Sequence, residues 1–196
     1  MAKKVLTGVK HIYITPWTAS DTGLDFTSGA LELTNIIADT VAITQDDPET
    51  TSIDCETRDE PIIQATTLGD YTVTMDSADI DLDILVKCLG FTKVGTDIAY
   101  APAAYTAKYA EIVVEMSTDK FILPRVQMNS KIDASSLKTG VAKGTIGGSA
   151  QSANITVGSG TGTSFDTPFF VAEKTWDHAA ANAAKKYKVA PLNVTA

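Results

Sequence analysis

Apolar and polar residues alternate with a period of two along much of this chain. In "YAEIVVEMS", residues 109–117, Ala110, Ile112, Val114 and Met116 share one face, while Tyr109, Glu111, Val113, Glu115 and Ser117 share the other. The pattern predicts a half-buried strand. In "YTVTMD", residues 71–76, Tyr71, Val73 and Met75 oppose Thr72, Thr74 and Asp76, with the turn signal Gly69-Asp70 just ahead. Shorter alternating runs predict further strands at 11–15, 41–45, 51–57, 120–128 and 153–157.

One segment has the helical period instead. "SADIDLDILVKCLGF", residues 77–91, places Leu82, Leu85, Val86 and Leu89 at i, i+3, i+4 and i+7, and Ile80, Ile84 and Cys88 widen the stripe. This predicts a helix over about 78–89, packed on a sheet and capped by Ser77. Its aspartates lie where the helix dipole favours negative charge, and Lys87 and Gly90 mark its end. The alanines and closing lysines of "WDHAAANAAKKY", 176–187, predict a second, short C-terminal helix. Between Gly140 and Gly162 there are seven glycines in 23 residues, a composition expensive to order. It predicts a mobile loop or loosely held hairpin at about 140–162, within which "ANITV" has the makings of a strand for a neighbour. The fold class expected is mainly β, a β-sandwich or partly closed barrel with one flanking helix, in a single domain over 1–196.

Composition narrows the function. At 196 residues and 44% hydrophobic, the chain is long enough to bury about 70% of its unfolded surface. A formal net charge of −8 argues against generic affinity for nucleic-acid phosphates or anionic membranes. Cys55 and Cys88 are too few for a disulfide framework and form no C-x-x-C pair. The N-terminal residues lack the apolar run of a secretory signal, so the chain is expected to start in the cytoplasm.

The motifs that carry chemistry are missing. Asp79, Asp81 and Asp83 alternate as in a calcium loop, but Ile84 and Gly90 stand where an EF-hand needs glycine and glutamate. His11 and His178 lie in no zinc-binding spacing. There is neither a G-x-S-x-G elbow nor a phosphate-binding G-x-x-x-x-G-K-[ST]. No enzyme, metal or cofactor is expected.

An acidic run remains. "DPETTSIDCETRDEPII", residues 47–63, carries six carboxylates in seventeen residues. If 52–58 is one strand, Asp54, Glu56 and Arg58 form a charged face opposite Ile53, Cys55 and Thr57. Such a face is either solvated, or meets a partner's basic groups or lines a passage, or holds a catalytic pair.

The order of segments over 41–91, from "VAITQDDPETTSIDCETRDEPIIQ" through "DYTVTMD" to "DLDILVKCLGF", resembles the front half of a phage major tail (tail tube) protein. That resemblance implies a β-sandwich or barrel with a flanking helix, assembled into hexameric rings that stack into a tube for genome passage. Related tubes serve contractile tails and type VI secretion. The partners implied are further copies of the chain and the tape measure, terminator and baseplate proteins, with DNA passing without specific binding and with no membrane. The location implied is the virion tail, and the host cytoplasm before assembly. Polymerising loops would fall at 45–60 and 140–162, and Asp54, Glu56 and Arg58 would face the lumen or a neighbouring subunit. A non-catalytic β-sandwich binding or capsid-decoration module is the alternative.

Overall fold

The computed structural model describes residues 8–55, 58–78, 80–101, 103, 107–133, 143–158 and 162–192, and within them the side chains outside 52–64. The protein is mainly β, with two short helices and several antiparallel sheets among the described residues. The largest sheet takes β1 (Val9–Pro16), β2 (Leu31–Glu32), β3 (Ala42–Gln45), β6 (Tyr71–Ser77), β9 (Lys108–Met116), β10 (Asp119–Met128) and β12 (Lys143–Ala150) in the order β2-β1-β9-β10-β12-β6-β3. Two more strands join it, β11 (Lys131–Asp133) beside β12 and β15 (Phe170–Glu173) beside β10.

A smaller sheet sets β13 (Ala153–Val157) between β14 (Thr163–Thr167) and β16 (Tyr187–Pro191). Two hairpins stand apart, β4 (Glu49–Cys55) with β5 (Arg58–Thr67), and β7 (Thr92–Val94) with β8 (Ile98–Tyr100).

One edge of β10 changes partner at an irregularity. Its first residues pair with β15 from Asp119 to Ile122, its last pair with β12 from Val126 to Met128, and the register against β9 slips between Leu123 and Val126. Pro124, which has no N–H to give a ladder, falls inside that slip. Its carbonyl instead accepts a bond from Trp17 Nε1 at 3.0 Å. Beyond β12 the chain bends through Gln151, whose N–H donates to the Arg125 carbonyl at 2.7 Å, and enters the smaller sheet.

Two apolar cores follow from this fork. The larger is built from Ile12, Ile14, Val73, Met75, Ile112, Val114, Leu123, Val126, Met128 and Ile146 on the main sheet. The smaller gathers Trp17, Ala153, Ile155, Tyr187 and Val189, with Phe26, Tyr109, Phe170 and Trp176 packed against them. β9 serves both. Its Ala110, Ile112 and Val114 enter the larger core, and on its other face Val113 and Glu111 are as deeply buried. The half-buried strand predicted at 109–117 is therefore covered on both faces, because the second sheet and the C-terminal segment lie over the side expected to meet water.

The helix expected over about 78–89 is α1 (Leu82–Lys87), shorter at both ends. Ser77 does not cap it: Ser77 closes β6, paired with Gly144, and Asp81 takes the cap by accepting the Ile84 N–H at 2.7 Å. Ile84 and Cys88 are its buried residues, while Leu82, Leu85, Val86 and Leu89 are half-buried. Gly90, at φ 75°, ends it as expected, with the Phe91 N–H returning to the Leu85 carbonyl. Burial pushes the Cys88 thiol up to about 12, leaving an inert core group. The C-terminal helix is α2 (His178–Ala183), capped by Asp177, and Tyr187 belongs to β16 rather than to the helix.

The glycine-rich stretch requires the largest correction. Its 143–150 portion is β12, an interior strand of the main sheet, and "ANITV" is β13. β13 pairs within this chain, with β14 and β16. Residues 134–142 and 159–161 lie outside the described residues.

Candidate functional site

The acidic run folds as a hairpin and not as one strand. β4 and β5 pair from Glu49–Thr67 to Ile53–Ile63, and then, after a register shift, at Cys55–Arg58. The chain has therefore reversed between Asp54 and Arg58, which lie on different strands. Glu56 is outside the described residues, as are the side chains of Asp54 and Arg58.

Threonines give the base of this ribbon its strand preference, and Thr50 and Thr66 meet across it with their hydroxyls 3.1 Å apart. Among the described residues the ribbon joins no other strand, and neither apolar core includes any of its described side chains. Glu49, Thr50, Thr51, Ala65, Thr66 and Thr67 are all exposed. Leu68, just beyond it, is 79% exposed. A two-stranded ribbon with no third strand beside it is marginal by itself.

The adjoining sheet edge is also open. β3 covers β6 from Tyr71 to Thr74 on one side, and among the described residues no strand pairs with its other side. Exposed Ala42, Thr44 and Gln45 leave a short stretch of backbone able to accept a further strand.

Among the described residues no three of His, Cys, Asp and Glu are placed to hold a metal, and none of the helices is long and apolar enough to cross a membrane. The strongest grouping of titratable side chains is internal. Glu111 on β9 is fully buried, Tyr187 on β16 is 2% exposed, and His178 at the start of α2 is 8% exposed. Tyr187 donates its hydroxyl to Glu111 Oε2 at 3.1 Å. His178 Nε2 lies 2.9 Å from Glu111 Oε1 but off the line of a hydrogen bond, so the contact is chiefly one of charge.

The rings of Phe26, Trp176 and Tyr187 enclose the imidazole, with centroids 5.7 to 6.1 Å away. Burial opposes the imidazolium, yet the charge and contact of Glu111 outweigh it and raise His178 above its ordinary value. Burial, reinforced by Glu111, likewise holds the Tyr187 phenol well above the usual tyrosine range. The threesome is closed to substrate and joins the C-terminal segment to the main sheet.

Sequence reasoning missed this cluster. Its partners are far apart along the chain, so no spacing brings them together. The available signals were Val113, an apolar residue on the supposedly wet face of 109–117, and the alternation of Tyr187 and Val189.

A second polar knot secures the fork. The Arg125 guanidinium lies 4.0 Å from the Tyr109 ring centroid and 5.4 Å from that of Trp17, donates to Gln151 Oε1, and reaches Asp21 Oδ2 at 2.6 Å. Asp21, at φ 52°, is held there in the left-handed region. A lysine cannot stack on two rings and fork to two acceptors at once. Arg125→Met is expected to lower stability by about 2–3 kcal/mol, the loss of charge-assisted bonds and of a half-buried cation over two rings. Chemical denaturation read by tryptophan fluorescence checks this, and Arg125→Lys should recover only part of the loss.

Compared with known proteins, the chain matches no family model and no curated relative.

Proposed function

We propose that this chain is a structural subunit that self-assembles, through hexameric rings stacked into a tube, as the tail tube of a phage through which the genome passes. The observation that supports this is the β4–β5 ribbon, an arm whose described side chains, Glu49–Thr51 and Ala65–Thr67 at its base, are exposed and belong to neither core. Such an arm gains little from its own chain and is suited to ordering against a neighbour. The open edge of β3 offers a second element that a ring would cover.

The net charge of −8 keeps the free subunit soluble, and along a lumen it would let DNA slide without binding. In this reading Asp54, Glu56 and Arg58 lie at the lumen or at a subunit interface. The partners are other copies of the chain and the tape measure, terminator and baseplate proteins. The subunit waits in the host cytoplasm and ends in the virion tail. It has no catalytic role.

One observation favours the alternative, a non-catalytic binding or capsid-decoration module. Phe165, Phe170 and Trp176 form a ladder of edge-on rings 5.8 and 6.2 Å apart beside exposed Val171, an aromatic surface that a ligand could use.

Negative-stain electron microscopy of concentrated protein, with light scattering over a concentration series, separates the two. Six-fold rings or tubes are expected. A strict monomer at every concentration, and also in the presence of the other tail proteins, would overturn the tube and favour the module.

A further inference from the structure

The C-terminal segment, residues 174–192, lies over the smaller core and is tied down at identifiable points. The Lys174 N–H donates to the Thr118 carbonyl at 3.2 Å, Lys120 Nζ donates to the Trp176 carbonyl at 3.0 Å, and β16 pairs along the whole of β13. Between these ties stands α2, only six residues long, with His178 its buried residue. A helix this short has little stability of its own and depends on what that side chain meets. What it meets is Glu111, a carboxylate fully buried on a central strand.

We propose that the His178–Glu111 ion pair makes α2 a pH-sensitive clasp, closed over the second core while His178 is a cation and released toward solvent when His178 is neutral.

The groups that face the imidazole set the direction. Glu111 from β9 favours the cation, as does Asp177 from the helix cap, while Lys120 from β10 opposes it. Tyr187 from β16 is held neutral by burial and Glu111, and so does not change its charge over the range in which His178 titrates. Phe26 and Trp176 complete the enclosure with uncharged rings. Because the folded protein raises His178 above its unfolded value, the clasp contributes fully below that unfolded value, about 6.5, and loses its contribution as pH rises through the folded value. Neutral His178 leaves the Glu111 carboxylate buried with only the Tyr187 hydroxyl bonded to it, an arrangement that favours opening.

The test is hydrogen exchange of the full chain at pH 6, 7, 8 and 9, with each amide corrected for its intrinsic rate, alongside an NMR titration of the His178 ring. The expected result is an opening equilibrium of α2 that rises with pH, by about tenfold for each unit separating the folded from the unfolded midpoint. β9 and β10 should stay protected, and the ring should titrate above the ordinary histidine value. Glu111→Gln should flatten the α2 profile and lower the ring's midpoint. If that variant does not fold, the wild-type data alone decide. A wild-type α2 profile flat from pH 6 to 9, or a His178 midpoint below the ordinary value, would overturn the clasp. Neither result depends on whether the chain assembles.

Discussion

Replacing residues 50–66 by an Asn-Gly turn is expected to abolish assembly while leaving the body folded, with a change in its stability below about 1 kcal/mol. Glu49 and Thr67 face each other across the ribbon's base, so a two-residue turn of the kind that matches strand twist can join them without displacing β3 or β6. The described side chains removed are exposed, and neither core contains any of them. The denaturation midpoint and the near-ultraviolet spectrum should therefore match those of the parent.

Assembly should respond very differently. If the arm orders against a neighbour, its deletion removes main-chain pairing and side-chain burial at every repeat of a ring, and a loss multiplied around a closed ring is not recovered by raising concentration modestly. Light scattering should report monomer where the parent polymerises. A shortened chain that still forms rings would remove the arm from the assembly mechanism, and one that fails to fold would make the ribbon part of the body.

The difference between what was legible in the sequence and what was not has a physical basis. β6 and β9 could be read because Tyr71, Val73 and Met75, and Ala110, Ile112, Val114 and Met116, recur at every second position, a pattern that one buried face is enough to produce. The second buried face of β9 could not be read, because Glu111 is polar and its burial depends on His178 and Tyr187, which arrive from the other end of the chain. The hairpin reversal between Cys55 and Arg58 was hidden for a different reason: an alternating acidic run has the same period whether it continues straight or turns back. The helix start moved from Ser77 to Asp81 because strand pairing with Gly144 claimed the backbone of Ser77 first. In each case the local signal was real, and a partner distant in sequence decided its use.

The glycine-rich stretch shows the same competition most sharply, and it yields the second large prediction: Gly148→Ala should destabilise the protein by about 3 kcal/mol or more, at or beyond the upper end of the usual cost of overpacking. The glycine content predicts a mobile loop or loosely held hairpin there, because ordering glycine costs backbone entropy. In β12 it is needed for space. A β-carbon at Gly148 would lie 1.9 Å from the Gln127 carbonyl oxygen on β10, and one at Gly147 would lie 2.1 Å from the Val73 carbonyl oxygen on β6. These are backbone atoms of the two flanking strands, so no side chain can swing aside to relieve the clash.

Ile146, fully buried beside this pair, anchors the strand in the larger core, while Asp76 accepts from Lys143 Nζ at 2.7 Å and from Thr145 Oγ1 at 2.8 Å to hold its start against β6. Held at its start and middle and paired on both edges, β12 cannot shift to accommodate a methyl group without opening the sheet between β10 and β6. Denaturant unfolding of Gly148→Ala and Gly147→Ala should therefore show a marked fall in midpoint for both, whereas Gly95→Ala, in open space at φ 65°, should show only the smaller cost of left-handed backbone strain. Equal stability of Gly148→Ala and the parent would mean that β12 does not pack between β10 and β6 as described, and would restore the mobile-loop reading of the stretch.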